Sequence, residues 1–440
     1  MTGATPQVTP ARTLAMHVLG ALDAGAPWER AWPQTVAVGV DARERRLAHD
    51  LASGTVRLRA RLDAIAARHS SRPPEMLDPV VRRILRLGLY QLFEMNGVAP
   101  HAAVHETVEL AKLHAPAAAG FVNAVLRAAL RAPDGSAIPE RATLAATLAA
   151  RQSHPEWLVA RWLERFGRDE TEALCAYGNR RPELCLRVNA LRTTRAGLLA
   201  QLPHAQAGVW SPESVRLARA GYGAARAAVE SGIASVQDEA ATLVAPIVVA
   251  AGATLVLDVA AAPGGKACHL GELLAPEGAV HAFDRRADKL ERIRDNARRL
   301  GLTNVVATVA DLRHLRVAPA PAVLLDAPCS GLGVLARRPD LRWRKDAADL
   351  LRLQALQLEL LMAAAQLVEP GGRLVYSVCS FEPEETTDVV ARFAATPGFE
   401  PDDAGMPERL QAGPGILYSL PQRHGIDGGF VAGWRRKAGR

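Results

Sequence analysis

Two of the five cysteines stand in matching surroundings. Cys329 lies in "LLDAPCSGLG", residues 324–333, and Cys379 in "RLVYSVCSFEPEE", residues 373–385. Each follows a short apolar run that reads as a buried strand, at the point where Pro or Ser breaks it. A thiolate is a soft nucleophile accessible near neutral pH, and covalent attack splits one hard step into two easier ones. Carbon 5 of a pyrimidine is a target that calls for such chemistry. It is a poor nucleophile until a thiolate adds to C6, breaks the 5,6 double bond and makes C5 enamine-like. After methylation the C5 proton must leave and the Cys–C6 bond must break, which a second group nearby could assist. Asp326 could hydrogen-bond the N3/N4 edge of cytosine and stabilise the charge that builds up on attack. Methyltransferases acting on planar amines carry Asn/Asp-Pro-Pro-aromatic at this strand end. Here it reads Asp326-Ala327-Pro328-Cys329, with a thiol in place of the aromatic. Cys175, Cys185 and Cys268 read as small buried apolar residues.

The methyl donor is implied by a second stretch, "DVAAAPGGKACHL". Its small residues and two glycines let backbone approach a ligand. It is neither GxGxxG nor a Walker loop, so phosphate cradling is not expected. Asp284 follows the next strand and is placed for ribose hydroxyls; Asp311 follows the third, where it could meet an adenine amino group. Acids in register without a phosphate loop suit adenosine without phosphates, which points to S-adenosyl-L-methionine rather than NAD or ATP. The expected cofactor contacts are Ala260, Ala261, Ala262, Pro263, Gly264, Gly265, Lys266, Asp284, Asp311 and Asp326; the expected catalytic groups are Cys379, Cys329 and Asp326.

These residues need a frame. From about residue 236, the apolar runs "ATLVLD", "GAVHAFD", "NVVATVAD", "APAVLLDAPC" and "GGRLVYSVCS" are mostly separated by helix-like segments. That alternation predicts an α/β, doubly wound, parallel Rossmann-like sheet, with the ligand beyond the carboxyl ends of the strands. Residues 1–131 read as all-helical: "VVRRILRLGLYQL" puts Val81, Ile84, Leu85, Leu89 and Leu92 on one face, and "HAAVHETVELAKL" and "GFVNAVLRAALR" follow suit. "APDGSAIPE", 132–140, is turn-rich. Between them and the sheet lies a small α+β segment, with a helix in "SHPEWLVARWLERFG" and a strand in "ELCLRVNAL". The expected domains are 1–135, a helical RNA-binding bundle; 141–235, a small α+β RNA-binding subdomain; and 236–440, the catalytic domain.

Composition sets the class. The 440 residues are 49% hydrophobic and 22% charged, with net charge +7, an ordinary globular balance that permits nucleic-acid binding without requiring it. Five scattered cysteines and no CxxC pair exclude a disulfide framework and make a metal site unexpected. The longest apolar run, "LVAPIVVAAGATLVL" at 243–257, is short for a bilayer and interrupted; it reads as helix end, turn and strand. No secretory signal is visible at the N-terminus, and the expectation is a cytoplasmic, monomeric protein without membrane or metal.

The motifs "DVAAAPGGK", "DAPCSGLGVLARRPDLRW" and "VYSVCSFEPEE" together resemble the NOL1/NOP2/Sun type of RNA cytosine-C5 methyltransferases. The resemblance implies that Cys379 attacks C6, that Cys329 assists release, and that residues 260–266, Asp284, Asp311 and Asp326 bind the cofactor. "HAAVHETVELAK" with "GFVNAVLR" resembles a NusB-like helical domain. With "SHPEWLVARW", "LRVN", "SVQDEAATLVA" and "HGIDGGFVA", the likeness extends over nearly the whole chain to the bacterial 16S rRNA branch of that family. It implies 16S rRNA as partner and cytosine 967 as target. Departures are Ala260 where Cys is usual, Val378 for Thr, Thr386 for Asn, and "DGGF" for "DGFF". Two other functions are a tRNA cytosine-C5 methyltransferase and a non-enzymatic RNA-binding or antitermination protein. The second leans on a helical region whose 16 Lys+Arg against 13 Asp+Glu over residues 1–140 is too weak a surplus to bind RNA unaided.

Overall fold

A computed structural model describes residues 8–35, 40–218, 221–250 and 252–438. Residues 1–7, where the absence of a signal was read, and Ala251, in the turn expected before the first strand of the sheet, lie outside the described residues. No helix among those described is long and apolar enough to cross a membrane. The chain divides into two units, Met1–Arg180 with Leu335–Lys345, and Arg181–Val334 with Asp346–Arg440.

The first unit is helical. Its helix Pro79–Phe93 starts where Asp78 caps the Val80 N–H at 2.7 Å and Pro79 occupies the first turn, a position that lacks a helical partner anyway. Ile84, Leu85, Leu87 and Leu89 are buried along it. Gly54 allows the helix Ala42–Arg57 to approach it: a Cβ there would fall 2.0 Å from the Tyr90 ring. The helices Pro100–His114 and Ala119–Arg131 complete this core. The predicted helix after Pro155 starts at Glu156 and breaks at Gly167, whose φ of +76° only glycine adopts readily, and a second helical stretch continues beyond the kink to Asn179. The segment 335–345 belongs to this unit. Its Arg342 is fully buried and donates to the carbonyls of Ser153 (2.9 Å) and Gly178 (2.8 Å) and to Asn179 Oδ1 (2.7 Å).

The second unit holds two sheets. Strands β1 (Leu184–Val188), β2 (Ala205–Ala207), β3 (Ser214–Leu217) and β4 (Ala234–Val236) form an antiparallel sheet in the order β2-β3-β1-β4. A buried ion pair, Arg187 to Glu272 at 2.8 Å, links β1 to the helix Gly265–Leu274 of the larger sheet.

That larger sheet contains β5 (Leu255–Asp258), β6 (Ala279–Asp284), β7 (Val305–Val309), β8 (Ala320–Asp326), β9 (Val368–Val378), β10 (Phe399–Pro401), β11 (Gln411–Gly413), β12 (Ile416–Ser419) and β13 (Gly429–Arg436). Its order is β11-β12-β13-β9-β8-β5-β6-β7, with β10 paired to β13. The five predicted strands are the parallel ones. Successive residues alternate between two cores, Val256 facing one and Leu257 the other, which is why these strands read as continuous apolar runs. To this parallel, doubly wound part the structure adds an antiparallel edge: β13 runs antiparallel to β9, and β10, β11 and β12 extend that edge. The β12–β13 connection is too short for a crossover, so only antiparallel pairing is open to it.

Candidate active site

The strand order reverses between β5 and β8: the chain runs outward from β5 through β6 to β7, then returns to β8 and β9 on the other side. A crevice opens at such a switch point beyond the carboxyl ends. Asp258 ends β5, Asp326 ends β8, and Cys329 and Cys379 follow β8 and β9.

The structure brings the two cysteines together, with Sγ atoms 3.2 Å apart. Cys379 is exposed and Cys329 partly so. Their shared hydrogen bond divides their acidities. As acceptor, Cys379 is held below the ordinary thiol range; the protein crowded around the sulfur, Asp326 and Glu385 oppose this, and Lys266 favours it. As donor, Cys329 is pushed well above that range, and burial adds to the effect. The thiolate of the pair therefore rests on Cys379. By contrast Cys175 and Cys268 are buried thiols pushed up to about 12, as expected of structural cysteines.

Lys266 is not among the loop's backbone contacts. Its Nζ lies 2.7 Å from Asp326 Oδ2. Burial pulls its pKa down, but Asp326, Cys379 and Asp258 outweigh this and raise it, so the ammonium persists beside the thiols. Asp326 enters the site already paired, about one-third exposed.

Ala260, Ala261, Ala262, Pro263 and Gly264 form the turn between β5 and the helix Gly265–Leu274. The turn is held by the Ala261 N–H on Phe283 O (2.8 Å) and the Ala262 N–H on Asp284 Oδ2 (3.2 Å). Gly264 has φ +103°, and a Cβ there would press on Ile293 at 3.0 Å. Asp284 also accepts from the Arg286 N–H at 2.9 Å. Asp311 is tied to Arg313 through both carboxylate oxygens, at 2.9 and 2.5 Å. That bond holds its pKa far below the carboxylate range, so it is less free than a strand-end acid awaiting adenine.

Two groups escaped the expected set. Asp258 is the last residue of β5. It is fully buried, neither oxygen makes a well-formed hydrogen bond, and burial and Asp326, opposed by Lys266 and a weak approach of the Ala260 N–H, push its pKa up to about 8. Glu385 is also fully buried. It accepts from the Ser330 N–H at 2.7 Å, the Ser330 hydroxyl at 2.5 Å and Gln357 Nε2 at 3.1 Å. Gln357 also donates to Pro328 O at 2.9 Å, and Ser330 reaches Ser380 Oγ at 3.4 Å. Glu385 thus ties down the turns on both sides of the thiol pair. In sequence it is one acid in "FEPEE", indistinguishable from a solvated one. Of the departures, Val378 is buried, and Thr386 donates to Glu382 O at 2.8 Å.

Comparison with known proteins gives the family. Residues 248–435 match the family described as 16S rRNA methyltransferase RsmB/F. Residues 9–131 match the NusB family, and 154–222 the ferredoxin-like domain of RsmF/B-like methyltransferases. A probable ribosomal RNA small subunit methyltransferase B of Bacillus subtilis is 35% identical, covering 90% of this chain and 91% of its own. The ribosomal RNA small subunit methyltransferase B of Pseudomonas putida is 39% identical, over 89% and 91%. The chain belongs to the RsmB/F methyltransferase family. Among solved structures, that of PH0851 superposes with a TM-score of 0.78 at 26% identity, covering 98% of this chain and all of that one. As an RsmB/F protein it is an S-adenosylmethionine-dependent methyltransferase with a helical NusB domain, a ferredoxin-like insert and a mixed Rossmann-like sheet.

Proposed function

We propose that this RsmB/F protein methylates carbon 5 of a cytosine in 16S rRNA, with cytosine 967 as target, through a covalent cysteine–C6 adduct. The observation that carries the reading is the thiol pair, 3.2 Å apart and driven to opposite acidities beside Lys266 and Asp326. Cys379, the better thiolate, adds to C6. Asp326 accepts from the cytosine N4 amine, and Lys266 stabilises the negative charge that spreads onto the ring. S-adenosyl-L-methionine supplies an electrophilic methyl group on a sulfonium. Cys329 is a neutral thiol at rest; once Cys379 is bonded to carbon it no longer accepts the Cys329 hydrogen bond, so Cys329 can lose its proton to solvent and, as a thiolate, take the C5 proton as the Cys379–C6 bond breaks, which restores the Cys329 thiol and the Cys379 thiolate. Glu385 positions both thiol-bearing turns.

The residues present fit the cofactor. Asp258 is a buried carboxyl group with no well-formed hydrogen bond, suited to the cationic amino end. Asp284 would hold the ribose hydroxyls, the 260–265 backbone would line the ligand, and Asp311, paired with Arg313, would serve the adenine. Residues 1–135 and 141–235 serve as RNA-binding domains and 236–440 as the catalytic domain of a cytoplasmic monomer.

The test is transfer of radiolabelled methyl groups to 16S rRNA or tRNA, joined to denaturing gels of two variants. Label is expected in 16S rRNA. Cys329→Ala should accumulate protein covalently attached to methylated RNA, and Cys379→Ala should form none. A covalent band in Cys379→Ala would reverse the roles, and full activity in both variants would dismiss the covalent route. Label confined to tRNA would move the substrate.

A further inference from the structure

The weak average surplus of the helical region hides a concentration. Residues 57–86 hold eight arginines against Asp63, Glu75 and Asp78. Four of those arginines line a single open cavity of about 520 Å³ in the first unit, together with Trp343 and Arg344 from the segment 335–345. Arg82, Arg83 and Arg86 come from the helix Pro79–Phe93, and Arg59 from the start of the helix Arg59–His69.

Counter-charges are too few. Arg86 is neutralised by Asp63 through two bonds of 2.6 and 2.7 Å, and Arg83 by Asp23 at 3.0 Å. Arg344 shares Asp340, at 3.5 Å, with Arg338. Among the described residues neither Arg59 nor Arg82 has an ion-pair partner, and Arg82 Nε is buried with no acceptor at all. Arg59 instead lies over the Trp343 ring, 5.4 Å from its centroid. The indole is fixed in turn by its N–H on Val56 O at 2.7 Å. Burial above all, with Arg86 and Arg82 adding to it and Asp63 and Asp23 opposing it, lowers the Arg59 pKa. Arg82 and Arg86 sit one helical turn apart, a like-charge spacing that destabilises a helix. Asp63 offsets the charge of Arg86, but no carboxylate pairs with Arg82 among the described residues.

We propose that this cleft is a binding site for the sugar-phosphate backbone of the RNA substrate, with Arg59 and Arg82 as the forks that engage phosphate oxygens. A guanidinium binds such oxygens in pairs, and the volume is that of an ordinary ligand site. Trp343 holds Arg59 extended over its face. The inference rests on the 16S rRNA reading for its ligand, and it adds a defined site to the general expectation that the helical domain meets RNA.

The probe is a fluorescent 16S rRNA fragment titrated with the full-length protein at several salt concentrations. For Arg59→Ala/Arg82→Ala, affinity should fall about tenfold or more, and the slope of log affinity against log salt should flatten by roughly 1.4, two single-strand phosphate contacts. Arg59→Lys/Arg82→Lys should keep most of the slope. KM for RNA should rise with little change in kcat, and cofactor affinity should hold. If the alanine pair loses its cooperative helical melt, Arg82→Gln alone should show half the change in slope. An unchanged slope and affinity, or equal losses in the lysine and alanine pairs, overturns the cleft and leaves the methyl-transfer reading standing. Wild-type protein that shows the predicted slopes yet methylates no RNA overturns that reading and leaves the cleft.

Discussion

Asp258→Asn tests whether the buried carboxyl group of β5 is held for the cofactor at the expense of the fold. In the unfolded chain this group ionises near its ordinary 3.8, whereas in the folded protein it does so only at about 8. Between those values the unfolded state has released a proton that the native state retains. The stability this group contributes is therefore complete below 3.8 and declines as pH rises toward 8. Each pH unit costs about 1.4 kcal/mol, so at pH 7 the loss approaches about 4 kcal/mol, an upper bound for a rigid, dry site. Asparagine does not titrate. Its two buried N–H donors add a constant cost of about 1–3 kcal/mol, which leaves the pH dependence untouched. Urea denaturation of the cofactor-free proteins should therefore show the variant gaining on the wild type by about 2–3 kcal/mol between pH 5 and pH 7. Parallel pH profiles would refute the argument. A second arm reads the cofactor directly. Binding of its cationic amino end should ionise Asp258 and release up to one proton at pH 7, measurable by calorimetry in buffers of different ionisation enthalpy. Asp258→Asn should abolish that release and weaken cofactor binding by about 2–3 kcal/mol.

Lys266→Met removes a cation that favours the Cys379 thiolate and leaves Asp326 uncompensated beside it. The rising limb of the pH–rate profile should move to higher pH, and an unmoved profile would separate Lys266 from the thiol. Glu385→Ala removes the acceptor for Ser330 and Gln357 and should lower stability by about 3 kcal/mol, as breaking a buried charged network does. Glu385→Gln, which keeps one acceptor oxygen, should retain most of the stability while kcat falls about 100-fold with cofactor affinity unchanged, the scale of a small misplacement of reacting groups. Wild-type kcat in Glu385→Gln would remove its positioning role.

The parallel strands, the helical first region and the thiols were legible in the sequence because each rests on a local regularity. Near-continuous apolar runs mark strands covered on both faces, a 3.6-residue period marks the helices, and a cysteine after a strand end needs no partner to be noticed. The antiparallel edge was not legible, since β10, β11 and β12 are three or four residues long and carry too few residues to show a period. The acidities lay further out of reach. Fifty residues separate Cys329 from Cys379, and only the pairing of β8 with β9 brings their sulfurs to 3.2 Å and decides which carries the charge. Lys266 belongs in sequence to the cofactor loop, but its Nζ sits with Asp326 and the thiols. Asp258, Asp311 and Glu385 are the same kind of residue on paper. The fold leaves the first buried without a well-formed hydrogen bond, binds the second to Arg313 and encloses the third beneath two turns. A charged group's chemistry is set by how much water it has lost and what charge lies within a few ångströms, and both are properties of the tertiary structure.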